Sequence, residues 1–174
     1  MTEGRKIVRV NGIMKYDIDE EYEEGTILFI DGVYIASLKN ITTNVDVVIN
    51  AYRVISSDDD VKIRTSKNLI ILSHTTSPMI NSINVWGNVI LLESRDTFKV
   101  GYLSIGKNLI IDRDSKGLLS VNSASIDGAV YVNEVNSNEF IGKKMVRPAM
   151  EEHIKEIEKW KKFIKDNKCN KIGG

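Results

Sequence analysis

Apolar residues return along this chain in short β-branched runs, each introduced by asparagine or glycine. Four such segments align without a gap: Lys67-Asn68-Leu69-Ile70-Ile71-Leu72, Gly87-Asn88-Val89-Ile90-Leu91-Leu92, Lys107-Asn108-Leu109-Ile110-Ile111-Asp112 and Asp127-Gly128-Ala129-Val130-Tyr131-Val132. Asn68, Asn88, Asn108 and Gly128 therefore stand 20 residues apart. A fixed period of this size marks a repeat that cannot bury its apolar face alone and stacks on its neighbours. A second alternating stretch precedes each run, at Val61–Ile63, Ile83–Val85, Leu103–Ile105 and Val121–Ile126. Its period of two is that of a half-buried strand. Polar corners separate the strands at 56–60, 73–78, 93–97 and 112–116, and neither proline, Pro78 or Pro148, falls within a predicted strand. The pattern predicts a mainly β fold, a parallel β-solenoid of about 20 residues per rung.

The exchange of asparagine for glycine suggests a turn in the left-handed region, which these residues tolerate best. Stacked asparagines can also hydrogen-bond along a ladder. Fainter copies of the phrase extend the expected turns to Gly12, Gly32 and Asn50. Asn11-Gly12 and Asp31-Gly32 equally fit two β-hairpins, so residues 1–40 are either rungs or a hairpin-like cap.

Positions 69, 89, 109 and 129, with 71, 91, 111 and 131, read as the inward set. The alternate set contains Asp112 and so faces outward. It also lines up Ile70, Ile90, Ile110 and Val130 as an outer apolar ridge, and such a ridge is normally covered or used. A cover lies at the C-terminus. From Pro148, a favoured first helical residue, apolar side chains recur at Met150, Ile154, Ile157, Trp160 and Ile164. Glu151 and Glu152 open the segment and lysines close it, which suits the helix dipole. The expected organisation is a solenoid over 1–147, an amphipathic helix over 148–168 and a tail over 169–174. The helix is expected to dock on its own solenoid, the alternatives being dimerisation or cover by a partner.

Charge changes the picture little. The 174 residues carry 24 basic and 24 acidic side chains, so nothing favours nucleic acid or an anionic membrane as partner. Locally, Asp17 to Glu24 and Asp58 to Asp60 are acidic and 155–171 is lysine-rich; solvated faces are the simplest reading, an acidic end for a basic partner the other. Cys169 is the only cysteine, which favours a reducing compartment. With no signal-like leader and no segment long enough to cross a membrane, the expected location is cytoplasmic.

Candidate chemistry is sparse. No phosphate loop or dinucleotide fingerprint occurs, and His74, His153 and Cys169 do not make a zinc set, so neither metal nor cofactor is expected. Cys169 in a polar tail reads as an inert thiol. Glu93, Asp96, Asp112 and Asp114 could gather at one corner as paired carboxylates for glycosidic acid–base work; Arg95 and Arg113 stand beside them. Solvated, anti-aggregation charges explain the same residues. Trp86, just before the turn Gly87-Asn88, could anchor a partner or stack on a sugar, and Trp160 sits on the helix.

The phrases WGNVILL, IGKNLIID and IDGAVYV resemble short β-solenoid proteins. These include bactofilins, the polymer-forming bacterial scaffolds, and irregular twenty-residue repeat proteins of bacteria and phages. The resemblance covers roughly residues 60–135. The rungs are less uniform than a bactofilin's and a helix is added, and no functional residue carries over. The expected function is a non-catalytic protein-binding or scaffold module of bacterial or phage origin, an inhibitor of a host enzyme being one form of it. A self-assembling structural subunit and a carbohydrate-active β-helix enzyme are the alternatives. The interface candidates are Ile70, Ile90, Ile110, Val130, Trp86 and Trp160.

Overall fold

A computed structural model describes residues 5–56, 60–76, 79–93, 98–112, 119–133, 140–141 and 143–169. The first strands are β1 (Ile7–Asn11), β2 (Ile18–Glu20), β3 (Ile27–Leu38) and β4 (Ile41–Thr43). They are followed by β5 (Asp46–Ser56), β6 (Lys62–Thr65), β7 (Leu69–Leu72) and β8 (Thr75–Thr76). The next are β9 (Ile80–Val85), β10 (Val89–Leu92), β11 (Phe98–Ile105) and β12 (Leu109–Ile111). The last are β13 (Leu119–Ile126), β14 (Val130–Val132), β15 (Phe140–Ile141) and β16 (Lys144–Pro148), before the helix α1 (Glu151–Asn167).

The strands stack in parallel as a right-through solenoid. One sheet runs β1-β3-β5-β7-β10-β12-β14-β16-β15, and the facing sheet runs β13-β11-β9-β6-β4-β2. Among the described residues, only β15, folded back on β16, pairs antiparallel. The first 40 residues are rungs rather than hairpins: β1 pairs in parallel with β3, and β2 with β4. β3 runs on through Asp31-Gly32, with an irregularity between Asp31 and Val33 where it pairs with β5. Val33 sits there at φ 58°, a strained value for a β-branched residue. Gly12 stacks directly on Gly32, so close that a Cβ on Gly12 would run into the Gly32 backbone. These Asn-Gly and Asp-Gly pairs bend the chain within a rung instead of reversing it. The second half of β3 then pairs with that of β5, and β5 with β8, forming a third side at this end.

The inward column of the first sheet is Val8, Leu28, Val47, Leu69, Val89, Leu109, Val130 and Val146. It meets Ile41, Ile63, Ile83 and Leu103 from the facing sheet in one apolar interior. Val130 is therefore a core residue and not part of the ridge. Its register partner is Leu109, because 21 residues rather than 20 separate these two positions. The extra residue moves Tyr131, not Val130, into line with Ile110.

The asparagine column serves hydrogen bonding, not left-handed backbone. The positive-φ positions among the described residues are Gly25, Val33, Glu93 and Lys143. Instead, Asn68 Oδ1 accepts from the Asn88 N–H at 2.7 Å, Asn88 Oδ1 from the Asn108 N–H at 2.9 Å, and Asn108 Oδ1 from the Ala129 N–H at 2.9 Å. Asp46 begins the series by accepting from the N–H and Nδ2 of Asn68, and Arg5 pairs with Asp46 at 2.8 Å. Each side chain thus satisfies the backbone donor of the rung above at the corner where the strand ladder lapses. Glycine enters next door for space. A Cβ on Gly87 would strike the Asn68 side chain and lie 2.6 Å from the Lys67 carbonyl oxygen.

The outward ridge is Phe29, Val48, Ile70, Ile90, Ile110 and Tyr131, with Arg9 and Arg147 at its ends. α1 covers it, burying His153, Ile157, Trp160, Phe163 and Ile164. The helix runs back along the stack. His153 stacks on Tyr131 at 3.7 Å, Phe163 meets Phe29 edge-on at 5.4 Å, and Arg9 donates to the Asn167 carbonyl at 2.7 Å. Seventeen residues give about 25 Å of helix. Five strand spacings from Tyr131 to Phe29 give about 24 Å, so helix and ridge match in length. The buried face is turned from the expected stripe. Met150 is the exposed residue before the helix, Phe163 and His153 join the interface, and Pro148 closes β16. β15 pairs with β16 only at Lys144 and Met145, so on that side Pro148 stands beyond the ladder and costs no bond there. The His153 Nδ1 accepts from the Met150 N–H at 3.0 Å, a capping role usually filled by glutamate or glutamine.

Two outcomes follow from this packing. Asn88→Ala leaves the Asn108 N–H without its acceptor and is expected to lower stability by about 1–3 kcal/mol in urea unfolding. Trp160→Ala opens a cavity beneath the helix and is expected to cost about 3–5 kcal/mol. A loss below about 1 kcal/mol in the second case would contradict a docked helix.

Candidate functional site: the exposed faces of the solenoid

The helix removes the ridge from contention as an interface. Ile70, Ile90 and Ile110 are buried beneath α1, Val130 lies in the core, and Trp160 is 1% exposed. Of the six interface candidates only Trp86, at 65% exposure, faces solvent.

Of the four corner carboxylates, only Glu93 and Asp112 lie within the described residues. The Asp112 side chain is fully buried, ion-paired with Lys161 of the helix and accepting from Asn133 Nδ2 at 3.3 Å. It lies next in line to Leu92, so α1 caps it together with the ridge. Asp112 thus fastens the helix and is withdrawn from any substrate. Glu93 is a corner residue at φ 54°, whereas Arg95, Asp96, Arg113 and Asp114 lie outside the described residues. His74 and His153 are occupied separately, against Tyr52 and Tyr131. Cys169 is exposed, and its N–H donates to Asp31 at 2.6 Å. Among the described residues no three histidine, cysteine, aspartate or glutamate side chains gather as a metal site, and no helix is long and apolar enough to cross a membrane.

Three features remain exposed. On the third side, Tyr34 and Tyr52 occupy the same position on adjacent strands, since Val33 pairs with Ala51 and Ile35 with Arg53. They are 59% and 57% exposed. His74 continues the column, its ring 4.5 Å from that of Tyr52 and its N–H bonded to the Tyr52 carbonyl. Ile35 and Arg53 flank the pair. Tyr34 and Tyr52 stand two residues before inward-facing Ala36 and Val54 and outside the twenty-residue phrase, which hid them from sequence reasoning.

The N-terminal end is the second feature. Val10, Ile13, Met14, Tyr16, Ile18 and Tyr22 line a hollow of about 540 Å³ there. β1 offers an unpaired edge beside it. Tyr22 is tied down by Asn44, which accepts from its N–H at 2.8 Å and donates to its carbonyl at 2.9 Å. Burial, then the nearby Glu20 carboxylate, push the Tyr22 phenol above its ordinary value. The third feature is the outer face of the second sheet, where Trp86 stands beside Arg64, Asn84 and Thr42.

Comparisons with protein-family models, curated proteins and solved structures find no match to this chain.

Removing Lys161 takes a cation away from the fully buried Asp112 carboxylate. Lys161→Met is expected to cost about 3–5 kcal/mol, and adding Asp112→Asn to recover part of it. Equal costs for the single and double variants would contradict a buried pair.

Proposed function

We propose that this protein is a non-catalytic binding module whose rigid solenoid presents an aromatic column to a protein partner. The observation that carries this reading is the exposed, in-register pair Tyr34–Tyr52, with Arg53 beside it. Tyrosine and arginine are the residues most enriched where protein interfaces concentrate binding energy. Both tyrosines stand on a parallel ladder, so little side-chain or backbone order is lost on association. The withdrawal of Asp112 into an ion pair supports the non-catalytic part of the reading. A bacterial or phage inhibitor of a host enzyme is one form such a module takes.

End-to-end assembly is the weaker reading. The C-terminal end is blunted by the short antiparallel strand β15, a device that limits edge pairing. Arg147 on β16 and Arg9 on β1 fall in one column, so a head-to-tail stack would bring two guanidinium groups together.

The test is affinity capture from lysate of the source cell, comparing the intact protein with a Tyr34→Ser/Tyr52→Ser variant. One protein is expected to be retained by the first and held about 30-fold or more weakly by the second, with unfolding unchanged. Equal retention by both would contradict the assignment. A mass ladder that grows with concentration in light scattering would favour the self-assembling subunit.

A further inference from the structure

The outer face of the second sheet carries a different kind of site from the tyrosine column. Its outward positions fall in columns of small polar side chains. One column is Thr42, Arg64, Asn84, Ser104 and Ser125; the next includes Lys62, Ser82, Tyr102 and Ser123. Trp86 continues the strand beyond Ser82 and Asn84 and projects from the same face, two residues on from Asn84. The rungs on either side leave its indole uncovered. Ser66 stands below and Gly106 above, and a Cβ on Gly106 would already collide with the Trp86 carbonyl oxygen. A larger neighbour is thus excluded by the stacking itself.

Beside the indole lies a hollow of about 150 Å³ walled by Thr42, Thr43, Arg64 and Asn84. Thr43 and Thr65, in register with inward-facing Val85, close the hollow from the interior side, and Thr65 Oγ1 donates to the Val45 carbonyl. Arg64 is exposed and forms no ion pair among the described residues. Through Ser66 the hollow adjoins a larger one of about 470 Å³ near Arg5 and Lys67. Tyr102 lies on the other flank, about 14 Å from Trp86 by strand rise and spacing.

We propose that this face binds a glycan, one hexopyranose ring stacking on Trp86 with its hydroxyls held by Thr42, Asn84 and Arg64. An exposed indole offers an apolar platform for the C–H face of a sugar while its N–H stays free to donate. Uncharged donors and acceptors at strand spacing suit successive hydroxyl groups better than a phosphate backbone, which would need a run of cations. Arg64 serves either as a donor to neighbouring hydroxyls or, on an acidic sugar, as a partner for the carboxylate. Stacking of this kind fixes no sugar identity, so both neutral and acidic glycans fall within the proposal.

The test follows the two indole N–H signals of the ¹⁵N-labelled protein in NMR titrations. The probes are cellohexaose, chitohexaose, maltohexaose, xylohexaose and oligogalacturonate, and Trp86→Ala assigns the signals. At least one probe is expected to shift the Trp86 signal saturably and to leave that of buried Trp160 in place. Trp86→Ala, which removes an exposed side chain, is expected to weaken that probe about tenfold or more. Thr42→Val, at an exposed position on the wall of the hollow, is expected to weaken it while unfolding stays unchanged. Loss of oligogalacturonate binding on Arg64→Ala, or with added salt, identifies an acidic glycan. Binding of a neutral hexaose that survives both identifies a neutral one. The proposal is overturned if no probe shifts the Trp86 signal, or if binding persists undiminished in Trp86→Ala. It is equally overturned if no probe binds and Trp86→Ala instead abolishes capture of a protein partner.

Discussion

A helix can close one side of a β-solenoid only if that side presents a single apolar column about as long as the helix. That constraint organises this molecule. Phe29, Val48, Ile70, Ile90, Ile110 and Tyr131 form the column, and Ile157, Trp160, Phe163 and Ile164 fill it. Burial of apolar surface supplies the attraction, while its two edges set direction and register. On one edge Lys161 reaches the buried Asp112, and at the far end Arg9 meets the carbonyl of Asn167. A cation at the helix C-terminus also complements the dipole. The returning helix ties the last rung to the first, so the stack is closed by its own chain along one whole side.

Stacking imposes a second constraint at the corners, where strand pairing lapses but backbone donors remain. The Asp46–Asn68–Asn88–Asn108 series answers it with one side-chain acceptor per rung. The series ends at Ala129, which has no side-chain oxygen to pass on, and the rung that carries it is also the longer one. Beyond it come the short return of β15 and the helix. The regular part of the repeat and the reach of the ladder thus coincide. The faces left to solvent differ in chemistry: tyrosines on the third side, an apolar hollow at the N-terminal end, and a polar field around Trp86 on the second sheet.

The period, the parallel architecture and the C-terminal helix were legible because Asn68, Asn88 and Asn108 recur in step with their apolar runs. Of the two reasons read for them, the left-handed backbone does not hold, while the ladder of stacked side chains does, each bonding the backbone N–H of the next rung rather than the next amide. Val130 was misplaced because gapless alignment hides a one-residue insertion, and in a strand one residue exchanges inside for outside. Asn11-Gly12 and Asp31-Gly32 carried a genuine bend signal, but local sequence cannot tell a corner from a reversal. The surfaces were less legible than the core. Trp86 stood out as a large aromatic at a corner, while Tyr34 and Tyr52 meet only through β3–β5 pairing across an imperfect repeat. Asp112 looked available for chemistry because its partner, Lys161, is 49 residues away in sequence.

Cys169, the only cysteine and exposed near Asp31, offers the most direct test of a helix folded back on its own solenoid. A spin label on its thiol should broaden the amide signals of Arg9, Asn11 and Asp31 in a uniformly labelled sample, and leave those of Arg147 sharp. The broadening should disappear when unlabelled, spin-tagged protein is mixed with ¹⁵N-labelled, untagged protein. Broadening that appears in the mixture would mean that the helix covers another copy, and broadening in neither sample would mean that the ridge is not covered by α1 at all.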